Sequence, residues 1–123
     1  MEFMRLFRDW PDVSEYSPGE RIFSEKEEAD ALFIVLAGEV ELKLRGQPLS
    51  VESRGGILGE MAVLGSALRS GEATAKTDVR LARLDRERLK ELMGRDTDFA
   101  LHMMAALANR LREVDRYIST HIG

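Results

Sequence analysis

The chain contains no cysteine, so disulfides, thiolate metal sites and cysteine nucleophiles are all excluded. Histidine is nearly as scarce, with only His102 and His121 in 123 residues, both late in the chain. A metal enzyme built on strands binds its ion through several strand histidines, and a Ser-His-Asp arrangement needs one, so neither a metal site nor an enzymatic activity is expected. There is no basic excess either. Eighteen Lys and Arg stand against 22 Asp and Glu, a net charge of −4, whereas a domain that grips nucleic acid carries a basic face. Direct DNA binding is not expected, and any cationic site must be local. No apolar run approaches the ~18 residues of a membrane span. The opening "MEFMRLFRDWPD" mixes charge with apolar groups and lacks the continuous hydrophobic region of a signal peptide. A cytoplasmic location without membrane contact is the expectation.

What is present fits one soluble domain, 44% hydrophobic and 33% charged. Periodicity divides it at about residues 12 and 85. Residues 1–12 hold a short helix, with Phe3, Met4, Leu6, Phe7 and Trp10 on one face, stopped by Pro11. Residues 13–85 read as short strands and turns: "VSEYS", "RIFS", the continuous apolar run "ALFIVLAG", the alternating "EVELKLRG", then "EATAKT" and "VRLARLD". Gly38-Glu39 has the look of a tight hairpin turn between two of these runs. Gly46-Gln47-Pro48 marks another turn. About eight strands at this spacing indicate a sandwich or barrel with flanking helices.

Residues 86–123 are helical. Asp85 is placed to cap "RERLKELMGR", and a second helix begins at Asp96 or Thr97 and runs without glycine or proline. From Asp98 to Ile118 it would be roughly 30 Å long. Ala100, Met104, Leu107, Leu111, Val114 and Ile118 step 4, 3, 4, 3, 4 along it, the seam of a coiled coil. Phe99, Met103 and Ala106 form a second stripe in the first half only. That half is expected to be buried on two sides, and the seam to pair with a second copy as a homodimer.

The chemistry concentrates in residues 55–77, "GGILGEMAVLGSALRSGEATAKT". A short helix starting near Glu60 presents free N–H groups and a positive dipole end to an anion. Glycines at 55, 56 and 59 let backbone come close to a ligand. Arg69 can hold two phosphate oxygens at once, Ser70 adds a hydroxyl, and the Glu60 carboxylate suits a sugar hydroxyl. Arg69 could instead pair with Glu72. On a strand Glu72 would share a side with Ser70, where its charge opposes an anion.

These residues resemble the cyclic-nucleotide-binding domain of the catabolite activator and of kinase and channel regulatory subunits. "GEMAVL" at 59–64, "RS" at 69–70, "AKT" at 75–77, Gly19-Glu20, Gly38-Glu39-Val40 and "LANRLREVD" at 107–115 carry the likeness, which covers nearly the whole chain. It implies an eight-stranded jelly roll (a double-stranded β-helix barrel) with a short N-terminal helix, a phosphate-cassette helix and a long C-terminal helix. It also implies cyclic AMP or another cyclic nucleotide as ligand. Gly59 and the amides of Glu60, Met61 and Ala62 would line the phosphate, Glu60 would accept from the ribose 2′-hydroxyl, and Arg69 and Ser70 would hold the phosphate. The long helix would cover the base. Where the catabolite activator has adjacent threonine and serine to read adenine, this chain has Val114 and Asp115; Asp115 and Arg112 are then the candidates for base contact. Leu68 and Gly71 also depart from the family's residues around Arg69-Ser70.

Two functions follow. The first is a stand-alone regulatory sensor of a cyclic mononucleotide, cyclic AMP foremost, that signals through its C-terminal helix to a separate effector. Only five residues follow Ile118, so no helix-turn-helix is expected. The second keeps the fold with a degenerate pocket, as a ligand-independent dimerisation module, and expects a filled pocket with Arg69 bonded to Glu72.

Overall fold

Two adjacent strands show how pattern becomes position in this computed structural model, which describes residues 2–64 and 69–121. β3 (Ala31–Ala37) is apolar throughout, and β4 (Val40–Leu44) alternates. A continuous apolar strand suits burial on both faces, an alternating one burial on a single face. Leu32, Ile34 and Leu36 of β3 accordingly pack toward the helices, while Phe33 and Val35 turn into the space between two sheets. In β4, Val40 and Leu42 face that same interior, and Glu41 and Lys43 pair at 3.8 Å outside it.

The other strands are β1 (Val13–Tyr16), β2 (Arg21–Phe23), β5 (Gln47–Glu52), β6 (Ile57–Leu58), β7 (Glu72–Ala75) and β8 (Val79–Asp85). Together the eight strands form the jelly roll as two four-stranded sheets, in the orders β1-β8-β3-β6 and β2-β7-β4-β5. Every pairing is antiparallel. Pro48 is accommodated because β5 is an edge strand, with a bulge at its pairing to Leu42 and Lys43.

Gly38-Glu39 is not a hairpin. β3 and β4 belong to different sheets, so these residues make the corner at which the chain changes sheet. Gly38 has φ +88°, and a Cβ there would lie 2.0 Å from the Asp78 carbonyl oxygen. The corner is tied down by Glu39 N donating to Thr77 Oγ1 at 3.0 Å and Lys76 N donating to Glu39 O at 2.8 Å. The hairpin lies one strand later. Arg45 and Gly46, both with positive φ, join Leu44 to its partner Gln47, the two-residue turn that matches strand twist.

Around the first sheet lie a 3-10 helix (Glu2–Phe7), α1 (Glu60–Leu64), α2 (Arg86–Arg95) and α3 (Thr97–His121). The N-terminal element is thus a tight 3-10 turn shorter than the helix expected within residues 1–12. It still buries Phe3, Met4 and Phe7 against Phe99 and the outer face of the sheet. Asp85 caps α2, its carboxylate accepting from Arg88 N at 2.9 Å. Asp96 ends α2 and accepts from Phe99 N at 2.9 Å, starting α3. At 25 residues α3 extends about 37 Å.

Burial along α3 differs between its two stripes in the single chain. Phe99 and Met103 are buried, but Met104 of the seam is 60% exposed and Leu111 is 71% exposed. The stripe of Phe99 and Met103 meets the barrel; in the seam Met104, Leu111 and Ile118 are exposed while Ala100, Leu107 and Val114 are half-buried. Among the described residues no helix is long and apolar enough to cross a membrane.

Candidate ligand-binding site

The site begins with a cation that the fold buries. Arg69 is 6% exposed, an environment that arginine enters only when something answers its charge. Its backbone is held to the turn after β2: Arg69 N donates to Glu27 O at 2.8 Å, and Lys26 N donates to Arg69 O at 2.7 Å. The guanidinium lies over the Phe23 ring, 4.4 Å from the centroid, and near Phe33. Nη1 donates to Gly59 O at 3.0 Å. Nε is buried with no partner among the described residues. Burial pushes the Arg69 pKa down, against the opposing pull of Glu27, Asp30 and Glu60; an arginine nevertheless remains protonated.

Gly59 makes this placement possible. Its φ is +75°, and a Cβ there would stand 2.1 Å from Arg69 Nη1. The glycine that sequence reasoning reserved for a ligand's approach thus first admits the arginine. Beside the pair lies a cavity of about 480 Å³, walled in part by Gly59, Glu60, Met61, Ala62, Arg69 and Ser70. This is a common size for small-molecule sites. Of the expected contact residues, these six are brought together. Gly65, Ser66, Ala67 and Leu68 lie outside the described residues, so the Leu68 departure does too. Gly71 has a plain steric reason: a Cβ would lie 2.6 Å from the Lys43 carbonyl oxygen.

Glu72 does not bond Arg69. Ala73 and Ala75 of β7 fill the space between the sheets, and Glu72 borders the same cavity as Ser70. Its carboxylate pairs with Arg21 Nη2 at 3.4 Å. The filled pocket with an Arg69–Glu72 bond, expected of a degenerate module, is therefore not the arrangement present.

The second polar group of the cavity comes from α3, and it is not the expected one. Arg112 is exposed and donates to Asn109 Oδ1. Asp115 is exposed as well, and neither lines this cavity. Leu107, Arg110, Leu111 and Val114 do. Arg110 Nε donates to Glu60 Oε1 at 2.8 Å. Nη1 reaches Glu52 Oε2 at 3.1 Å and Glu113 Oε1 at 2.8 Å, and Nη2 donates to Ile57 O at 2.6 Å. Burial works to lower the Arg110 pKa, but Glu60, Glu52 and Glu113 together raise it. Burial pushes the Glu52 carboxyl up despite Arg110. A signal for Arg110 was present in the sequence: Phe99, Met103 and Ala106 step 4 and 3 along the barrel-facing stripe, and the next step of 4 is Arg110.

The cavity thus combines a buried, under-bonded cation, a buried carboxylate and an apolar wall, the requirements for an anion joined to a hydroxyl-bearing ring and an apolar plate. Comparison with known proteins gives the same direction. Residues 13–96 match the model of the family described as "Cyclic nucleotide-binding domain". The chain is 37% identical over 105 residues to the cyclic AMP receptor protein of Thermus thermophilus, covering 81% of this chain and 49% of that one. It is 34% identical over 85 residues to a cAMP-dependent protein kinase regulatory subunit of Emericella nidulans, covering 68% of this chain and 21% of the subunit. The solved Thermus thermophilus catabolite activator protein superposes with a TM-score of 0.72 at 34% identity, over 89% of this chain and 54% of that one. The chain thus spans about half or less of the length of these relatives.

Proposed function

The chain belongs to the cyclic nucleotide-binding domain family, and we propose that it is a regulatory sensor that binds a 3′,5′-cyclic mononucleotide, cyclic AMP among them, between α1 and α3. The observation that carries this reading is Arg69: a buried guanidinium whose Nε has no partner among the described residues, at the wall of a 480 Å³ cavity. A cyclic phosphate would supply the missing acceptor, in the two-pronged geometry that arginine favours. Ser70 and the amides of Glu60, Met61 and Ala62 would complete the anion's contacts, and Glu60 would accept from the ribose 2′-hydroxyl.

That last contact ties binding to movement. Glu60 Oε1 already accepts from Arg110 of α3, so a ribose hydroxyl arriving at Glu60 alters the attachment of the long helix. Signalling through α3 would follow from this shared carboxylate, with the exposed seam pairing two copies and an effector reading their geometry. A ligand shifts such an equilibrium only by its differential affinity for the two helix positions.

Calorimetry and thermal shift with cyclic AMP and cyclic GMP test the reading. Binding is expected for the native protein and loss of binding for Arg69→Ala. No heat and no shift at millimolar ligand, with the variant behaving like the native protein, would remove it.

A further inference from the structure

Polar and apolar side chains are segregated in the cavity. Glu60, Arg69, Ser70 and Arg110 line its α1 side. Much of the remaining wall is apolar, with Leu42, Leu44, Leu49, Leu107, Leu111 and Val114. Two charged residues also border that region, each already paired: Lys43 Nζ with Glu41 at 3.8 Å, and Glu72 with Arg21 at 3.4 Å. Among the described residues, the only charged side chains that a planar ring resting there would neighbour are Lys43 and Glu72, and both already have partners.

We infer that the site reads the base by shape alone and accepts cyclic nucleotides with little regard to base identity. This rests on the reading of the site as a cyclic-nucleotide pocket. An apolar surface discriminates weakly between ligands of similar shape, because it leaves no buried polar group unpaired when the wrong one binds; a hydrogen-bonding site rejects by orders of magnitude. Here neither an amino nor a carbonyl substituent is either rewarded or penalised. The phosphate and ribose end supplies orientation, and the base contributes buried area.

The test is titration of the native protein with cyclic AMP, cyclic GMP, cyclic CMP and a base-free ribose 3′,5′-cyclic phosphate. The three nucleotides are expected to bind within about tenfold of one another, and the base-free compound at least tenfold more weakly than any of them. A preference above tenfold for one base would overturn the inference while leaving the cyclic-nucleotide reading intact. If Asp115→Ala abolished that preference, base reading would belong to Asp115 of a second copy. A base-free compound binding as tightly as the nucleotides would also overturn it, and failure of all four to bind would remove both readings together.

Discussion

Arg110 Nε lies 2.8 Å from Glu60 Oε1, and this pair joins the long C-terminal helix to the first residue of α1. Both side chains are largely buried, 12% and 4% exposed. Removing one partner of a buried pair leaves an uncompensated charge at a cost of about 3 kcal/mol. Arg110→Met should therefore lower stability by about that amount in urea titrations and speed hydrogen exchange along α3. Because Glu60 and Arg110 contact directly, adding Glu60→Gln should cost less than the sum of the single changes. Strict additivity would show that the pair does not hold the helix.

Glu52 makes the same cluster respond to pH. Burial holds its carboxyl above the ordinary 4.5, so the folded protein binds its proton more tightly than the unfolded chain does. Stability owed to this group is then greatest at low pH and falls as pH rises from about 4.5 through the folded value. The native protein should lose stability relative to Glu52→Gln over that interval, and the loss should then level off. Urea midpoints from pH 4 to 7 measure it, and a native protein that gained stability on the variant as pH rose would contradict the burial argument.

Arg69 separates function from stability. A buried cation whose Nε has no partner among the described residues adds little to the unliganded fold, so Arg69→Met should change unfolding free energy by no more than about 1 kcal/mol. Ligand at a hundred times its Kd should stabilise the native protein by about 2.7 kcal/mol and leave the variant unmoved. Equal stabilisation of both would place the anion elsewhere.

The corner at Gly38 tests the crossing between sheets. Gly38→Ala meets both a positive φ and the Asp78 carbonyl, so a loss of about 3 kcal/mol is expected. Gly94→Ala, within α2 and facing open space, should be neutral or stabilising by up to about 1 kcal/mol. Chemical denaturation of the two variants reads the contrast.

The seam of α3 leaves Met104, Leu111 and Ile118 at 60%, 71% and 45% exposure. Leu111→Glu would set two like charges against each other across a paired seam. Analytical ultracentrifugation should show a dimer for the native protein and a monomer for the variant. A native protein that sedimented as a monomer at all concentrations would rule the pairing out.

Local pattern by itself pointed to six of the strands, the caps and the candidate cassette, but it read Gln47-Pro48 as turn where β5 begins at Gln47. The apolar run in β3, the alternation in β4 and the aspartates at 85 and 96 act through nearest neighbours along the chain, so their effects are legible in the residues themselves. "GEMAVL" and Arg69-Ser70 marked a candidate site because the residues of the family motif lie close in sequence. Only the tertiary structure decided what Gly38 does, since a corner and a hairpin share the same local signal and differ in which sheet receives the next strand. It also decided the fate of Glu72, whose carboxylate pairs with Arg21. And it replaced Arg112 and Asp115 with Arg110 and Val114 at the cavity, because the rotation of α3 about its axis is set by Phe99 and Met103 locking into the barrel. A helix's sequence states which faces it has; the partner it packs against determines which face meets the ligand.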